Sequence, residues 1–126
     1  MGAGALIDTY PMGDAVVVLA RGELDIASAP TLRDELAAVI TAEPRPRVIC
    51  CDLTEVTFMD STALSALVFA HEMAAMGSQE FCLAGARASV HRVLELTQLD
   101  QVIVCHDSMD VAREAILGTA GTQAES

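Results

Sequence analysis

Val48-Ile49-Cys50-Cys51-Asp52-Leu53 is apolar everywhere except at Asp52. A run this apolar leaves neither face fit for water. It therefore predicts a central strand covered on both sides, as in a parallel sheet. On its N-terminal side, Pro44 and Pro46 end a predicted helix that starts near Ser28 or Pro30 and runs to about Ala42. In that helix Leu32, Leu36, Val39 and Ile40 share one face, and a proline is tolerated in the first helical turn. Before it, residues 5–10 and 15–21 read as two strands. Pro11-Met12-Gly13-Asp14 supplies the hairpin turn between them, and Gly22-Glu23-Leu24-Asp25 makes a tight acidic connection to the helix. On the C-terminal side, a loop through Thr57 leads to a helix from Asp60 or Ser61 to Gly77. A strand follows at 80–84 and a helix at about 87–97 with Val90, Val93, Leu94 and Thr97 on one face. The last elements are a strand at 102–105 and a helix at about 108–117, capped by Asp107 or Ser108 and closed by Gly118. The order β-β-α-β-α-β-α-β-α predicts one α/β domain over residues 5–117. Its sheet is mixed and mostly parallel, with about five strands and four helices. The tail 118–126 is small and polar, and both it and residues 1–4 are expected to be disordered.

With 126 residues there is room for one core and no second domain. Eighteen acids against seven bases give a net charge of −11, and all seven bases are arginine. Without lysine there is no Walker-type phosphate loop, no Schiff-base chemistry and no receiver-domain lysine. The acidity argues against direct binding to nucleic acid or to an anionic membrane. It also keeps the chain soluble. No leader is visible, Leu6 stands where a myristoylation signal wants Ser or Thr, and the apolar stretch 63–70 is far short of a span. A cytoplasmic location is expected.

Cys50, Cys51, Cys82 and Cys105 match no zinc spacing and fall in strand-like runs, so buried reduced thiols are expected, with a redox role the lesser reading. His71 falls on the predicted core face of its helix, and His91 and His106 are expected at the surface. Asp25, Asp52 and Asp60 are explained by turns and caps without a cation. No nucleophile is paired with a base, so neither an enzyme nor a cofactor site is expected.

The helix 61–76 divides into two faces at 100° per residue. Leu64, Leu67, His71, Ala74 and Ala75 make the predicted core face. Ser61, Thr62, Ser65, Phe69, Glu72 and Met76 make the other. An aromatic and a methionine on a polar face suit a protein-binding stripe, although single exposed apolar residues are also common. Ser61 and Thr62 stand where helix amides lack partners. That position suits plain capping, and it also suits a phosphate, since helix N-termini favour anions.

Three segments, in order and spacing, resemble the STAS domain of anti-sigma-factor antagonists. They are Gly22-Glu23-Leu24-Asp25, the stretch from Asp52 through Asp60-Ser61-Thr62, and Val93-Leu94-Glu95-Leu96-Thr97-Gln98-Leu99-Asp100. The resemblance implies phosphorylation at Ser61, with Thr62 the lesser candidate. It implies a partner-binding face of Glu23, Asp25, Asp60, Ser61, Thr62, Ser65, Phe69 and Glu72. The partner it implies is an anti-sigma factor that is also a serine kinase with a histidine-kinase-like ATPase fold. Phosphorylation by that kinase would break the complex and a serine phosphatase would reset it. The alternative is a STAS interaction module, never phosphorylated, within a larger signalling or lipid-transport assembly. Two positions depart from the family pattern. Ala63 replaces a glycine, keeping the helix but adding a methyl close to a kinase's approach, and Gln98 replaces the glycine of Leu-Thr-Gly-Leu.

Overall fold

The computed structural model describes residues 6–118. Five strands lie side by side in chain order: β1 (Leu6–Met12), β2 (Ala15–Leu24), β3 (Val48–Met59), β4 (Glu80–Ala84) and β5 (Val104–His106). β1 runs antiparallel to β2, and every later pair is parallel. The helices are α1 (Ala29–Thr41), α2 (Ser61–Met76), α3 (Ala88–Leu96) and α4 (Met109–Arg113), the last prolonged by a π turn over Glu114–Gly118. The α/β class, the element order and the mixed sheet agree with the sequence reading. Of the expected disordered termini, residues 1–4 and 119–126 lie outside the described residues, while Gly118 closes the π turn.

Alternation along β3 divides the interior. Ile49, Cys51 and Leu53 join the larger core with α1, α2 and α3, whereas Val48 and Cys50 join a smaller one under α4. The central-strand reading of this run therefore holds. Pro11 sits in β1 opposite Val16, where an edge strand tolerates its missing N–H. The hairpin turn is thus only Gly13-Asp14, with Gly13 at φ +64°.

Several boundaries differ from expectation. β2 runs on to Leu24, so Gly22-Glu23-Leu24 is strand and not a tight connection. β3 runs on to Met59, so Thr57 lies in strand and not in a loop. Two register shifts in this pair make β3 bulge against β2, and Gly22 at φ +88° absorbs the bend. β5 starts two residues late because Gln98 takes a left-handed conformation (φ 62°) and opens a 3₁₀ turn at Leu99–Gln101.

The buried stripe of α2 is Ala63, Ala66, Leu67, Ala70 and Ala74. Its small side chains let the helix lie close to α1 and the sheet. The stripe is rotated from the predicted one, leaving Ala75 exposed and Leu64 and His71 half-buried. His71 lines a cavity and is not packed in the core, while His106 is half-buried in β5 and at the surface only in part. Cys50, Cys51 and Cys82 are buried free thiols, and Cys105 is only half-buried.

Candidate functional site

The C-terminal ends of β2 and β3 meet where α2 begins. Leu24 pairs with Met59, and the Asp60 amide donates to the Leu24 carbonyl at 3.1 Å. This bond brings Glu23 and Asp25 to the start of α2, as the sequence reading expected. Asp60 caps that helix. Its Oδ1 accepts from the Thr62 amide (3.0 Å), the Ala63 amide (3.2 Å) and the Thr62 hydroxyl. The Thr62 hydroxyl above all holds the Asp60 carboxyl below its ordinary range; desolvation opposes it, and the amides of Ala63, Thr62 and Ile26 add smaller lowering effects.

Because Asp60 takes the capping role, Ser61 has none. Ser61 is exposed, and among the described residues its hydroxyl makes no hydrogen bond. Thr62, by contrast, is half-buried with its hydroxyl committed to Asp60. Ala63 is fully buried, so its methyl faces the core. It does not narrow the approach to Ser61, contrary to expectation.

The β2–α1 loop is built by Ser28, a residue the sequence offered only as a helix start. Ser28 is 7% exposed; its hydroxyl donates to the Glu23 carbonyl and accepts from the Asp25 amide, both at 2.9 Å. Asp25 Oδ1 in turn accepts from the amides of Ala27 (3.0 Å) and Ser28 (3.2 Å). The knot holds Ile26 out in solvent at 73% exposure. Ile26 borders a groove of about 240 Å³ between α1 and α2, which Pro30, Arg33, Thr62 and Ser65 also line. Phe58, beside Glu23 in the ladder, is 48% exposed. Sequence reasoning missed Ile26, Arg33 and Phe58. Ile26 alone carried a signal, an aliphatic residue in an acidic turn.

Of the predicted face, Glu23, Asp25, Asp60, Ser61, Thr62 and Ser65 gather around this groove and helix start. Phe69 lies further along α2 and is half-buried under the Arg33 guanidinium, 3.9 Å from the ring centre. Glu72 is exposed three turns on, about 16 Å from Ser61 by helical rise. Among the described residues no cluster of His, Cys, Asp or Glu could hold a metal, and no helix is long and apolar enough to cross a membrane.

A helix start that offers a free serine beside an acidic turn is the arrangement the sequence resemblance implied. The family model described as "STAS domain" matches residues 7–112. The chain belongs to the STAS domain family. The STAS chain is 32% identical over 90 residues to the anti-sigma-B factor antagonist of Listeria monocytogenes, covering 71% of this chain and 77% of that protein. An anti-sigma factor antagonist from Mycobacterium paratuberculosis superposes with a TM-score of 0.81 at 26% identity, over 91% of this chain and 96% of that one. The Bacillus cell fate determinant SpoIIAA, in its phosphorylated form, shares the STAS fold at a TM-score of 0.63 and 16% identity, over 79% of this chain and 90% of that one.

Proposed function

We propose that the chain is an anti-sigma factor antagonist. It binds an anti-sigma factor that is also a serine kinase with a histidine-kinase-like ATPase fold, and phosphorylation at Ser61 releases it. The observation that carries this reading is the freedom of Ser61, exposed in the first turn of α2 while Asp60 supplies the cap. The names of the Listeria and Mycobacterium relatives support the antagonist role, and the phosphorylated form of SpoIIAA supports a phosphate on this fold.

The partner seats on the groove between α1 and α2, with Ile26 as its exposed apolar contact and Glu23, Asp25 and Asp60 as its acidic rim. That rim calls for a basic patch on the partner, so added salt slows association. The kinase supplies the nucleotide and the charge that neutralises the transferring phosphoryl group. The Ser61 oxygen bonds to the γ-phosphorus of the kinase's ATP, its proton passes to a base on the kinase, and the bond to ADP breaks. The product carries roughly −1.5 to −2 extra charge beside Asp60. Its bulk stands at the docking surface, so contacts are lost to sterics as well as to repulsion. A serine phosphatase restores the hydroxyl. The chain acts by binding and catalyses nothing itself.

Titration of purified variants with the anti-sigma kinase tests this. Ser61→Ala should bind like wild type yet accept no phosphate, and Ser61→Asp should bind at least about 10-fold more weakly, a change of about 1.4 kcal/mol. Wild-type affinity in Ser61→Asp would defeat the proposal.

A further inference from the structure

Cys50 of β3 and Cys82 of β4 stand directly opposite each other in the ladder. Both point to the α4 side of the sheet, where they share one cluster with Val17, Ala84, Ala112 and Ile116. Adjacent strands lie about 4.8 Å apart, inside the ~4.4–6.8 Å Cα separation over which a disulfide closes. The other two thiols have no such match. Cys51 and Cys105 both pair with Leu83, so they face the opposite side of the sheet and stand two strands, roughly 9–10 Å, apart.

Only one member of the facing pair meets solvent space. β5 pairs with Cys82–Ala84 alone, leaving the edge of β4 at Glu80 and Phe81 uncovered. A cavity of about 490 Å³ lies along this edge, lined by Val48, Phe81, Cys82, Val104, His106 and Ile116 among others. Cys82 is 5% exposed into it, whereas Cys50 has no exposure and rests 3.9 Å from the Met109 sulfur. The Cys50 thiol beside Cys82 lowers the Cys82 pKa, and the same interaction together with burial raises that of Cys50. Cys82 is thus both the reachable thiol and the one more readily ionised.

We propose that Cys50 and Cys82 form a redox-active pair that closes to a disulfide across β3 and β4 when a hydroperoxide enters the cavity. The Cys82 thiolate attacks one peroxide oxygen and the O–O bond breaks, giving a sulfenic acid at Cys82; the departing hydroxide or alkoxide takes up the proton that Cys82 gave up on ionising and leaves as water (from hydrogen peroxide) or an alcohol. The Cys50 sulfur then attacks the Cys82 sulfur and the S–O bond breaks. The departing hydroxide takes the Cys50 proton and leaves as water. Two thiols are oxidised by two electrons and one peroxide is reduced. A dithiol reductant reverses the bond by exchange.

The test treats the reduced full chain with hydrogen peroxide, then alkylates it under denaturing conditions and reads its mass. Alkylated cysteines should fall from the four present in the sequence to two, and dithiothreitol should restore all four. A non-reduced digest should contain a linked peptide within one chain. Cys51→Ala should keep that link and Cys50→Ala should lose it, with dimedone then trapping sulfenic acid at Cys82. Four alkylated cysteines after peroxide would overturn the proposal, as would a link that survives in Cys50→Ala or joins two chains. The wild-type count and linkage decide the matter alone if a variant does not fold.

Discussion

Replacing Ser28 by alanine removes one hydroxyl and strands two backbone groups. The Glu23 carbonyl loses its donor and the Asp25 amide loses its acceptor, both at 2.9 Å in the native loop. Each net hydrogen bond contributes about 0.5–1.5 kcal/mol, and a buried group left unpaired costs about 1–3 kcal/mol. The loop is only partly buried, so water can reach some of what is freed. The expected loss for Ser28→Ala is therefore about 2–3 kcal/mol. With an unfolding entropy of about 2.1 cal/mol/K per residue, that lowers Tm by roughly 8–12 °C. Chemical denaturation with the slope held constant measures the free energy directly. Ser89, exposed on α3, is the control, and Ser89→Ala should change stability by less than about 0.5 kcal/mol. On the proposed function, Ser28→Ala should also weaken binding to the anti-sigma kinase, because the knot is what presents Ile26. A stability loss in Ser28→Ala no larger than that of Ser89→Ala would refute the reasoning that this serine builds the β2–α1 loop.

Two further outcomes follow from the same geometry. Asp60 has a lowered carboxyl pKa in the folded state, so its cap stabilises above the unfolded carboxylate value near 3.9 and is lost as pH falls through the lowered folded value; Asp60→Asn should flatten that part of the acid-unfolding curve, and an unchanged curve would mean the cap is not ionic. Gln98 sits at φ 62°, where a side chain costs about 1–2 kcal/mol that glycine avoids while losing part of the gain to chain entropy; Gln98→Gly should raise stability by roughly 0.5–1 kcal/mol in denaturant titration, and a loss would contradict the strain.

The fold was legible where local chemistry and burial agree. The bounds of α2 were read closely because Asp60-Ser61 and Gly77 mark its two ends, and β4 has the bounds expected of it. The extension of β3 was not legible. Its bulges put Leu53, Val56 and Met59 in the core at intervals of three, a pattern that period-two reading misses. The face of α2 was misjudged because nearly every residue from Ala63 to Ala70 is apolar, so periodicity offered little contrast. The late start of β5 depends on a left-handed glutamine, which no propensity anticipates.

At the site, the Asp60-Ser61-Thr62 motif and the acidic turn were visible as residues. What was hidden is the division of labour: which side chain caps, which is committed and which is free. The capping bonds themselves are local, whereas the bond from the Asp60 amide to the Leu24 carbonyl, distant in the chain, is what sets the acidic turn beside this helix start. Ser28 went unrecognised for the same reason, since a serine before Pro30 reads as a helix start and its real partners lie behind it in the chain.

The most direct test compares two forms of the same purified chain, unmodified and phosphorylated only at Ser61, in calorimetric titration against the anti-sigma kinase. The account predicts that phosphate at Ser61 weakens binding by about 100-fold, or about 2.7 kcal/mol. Equal affinity of the two forms would contradict it.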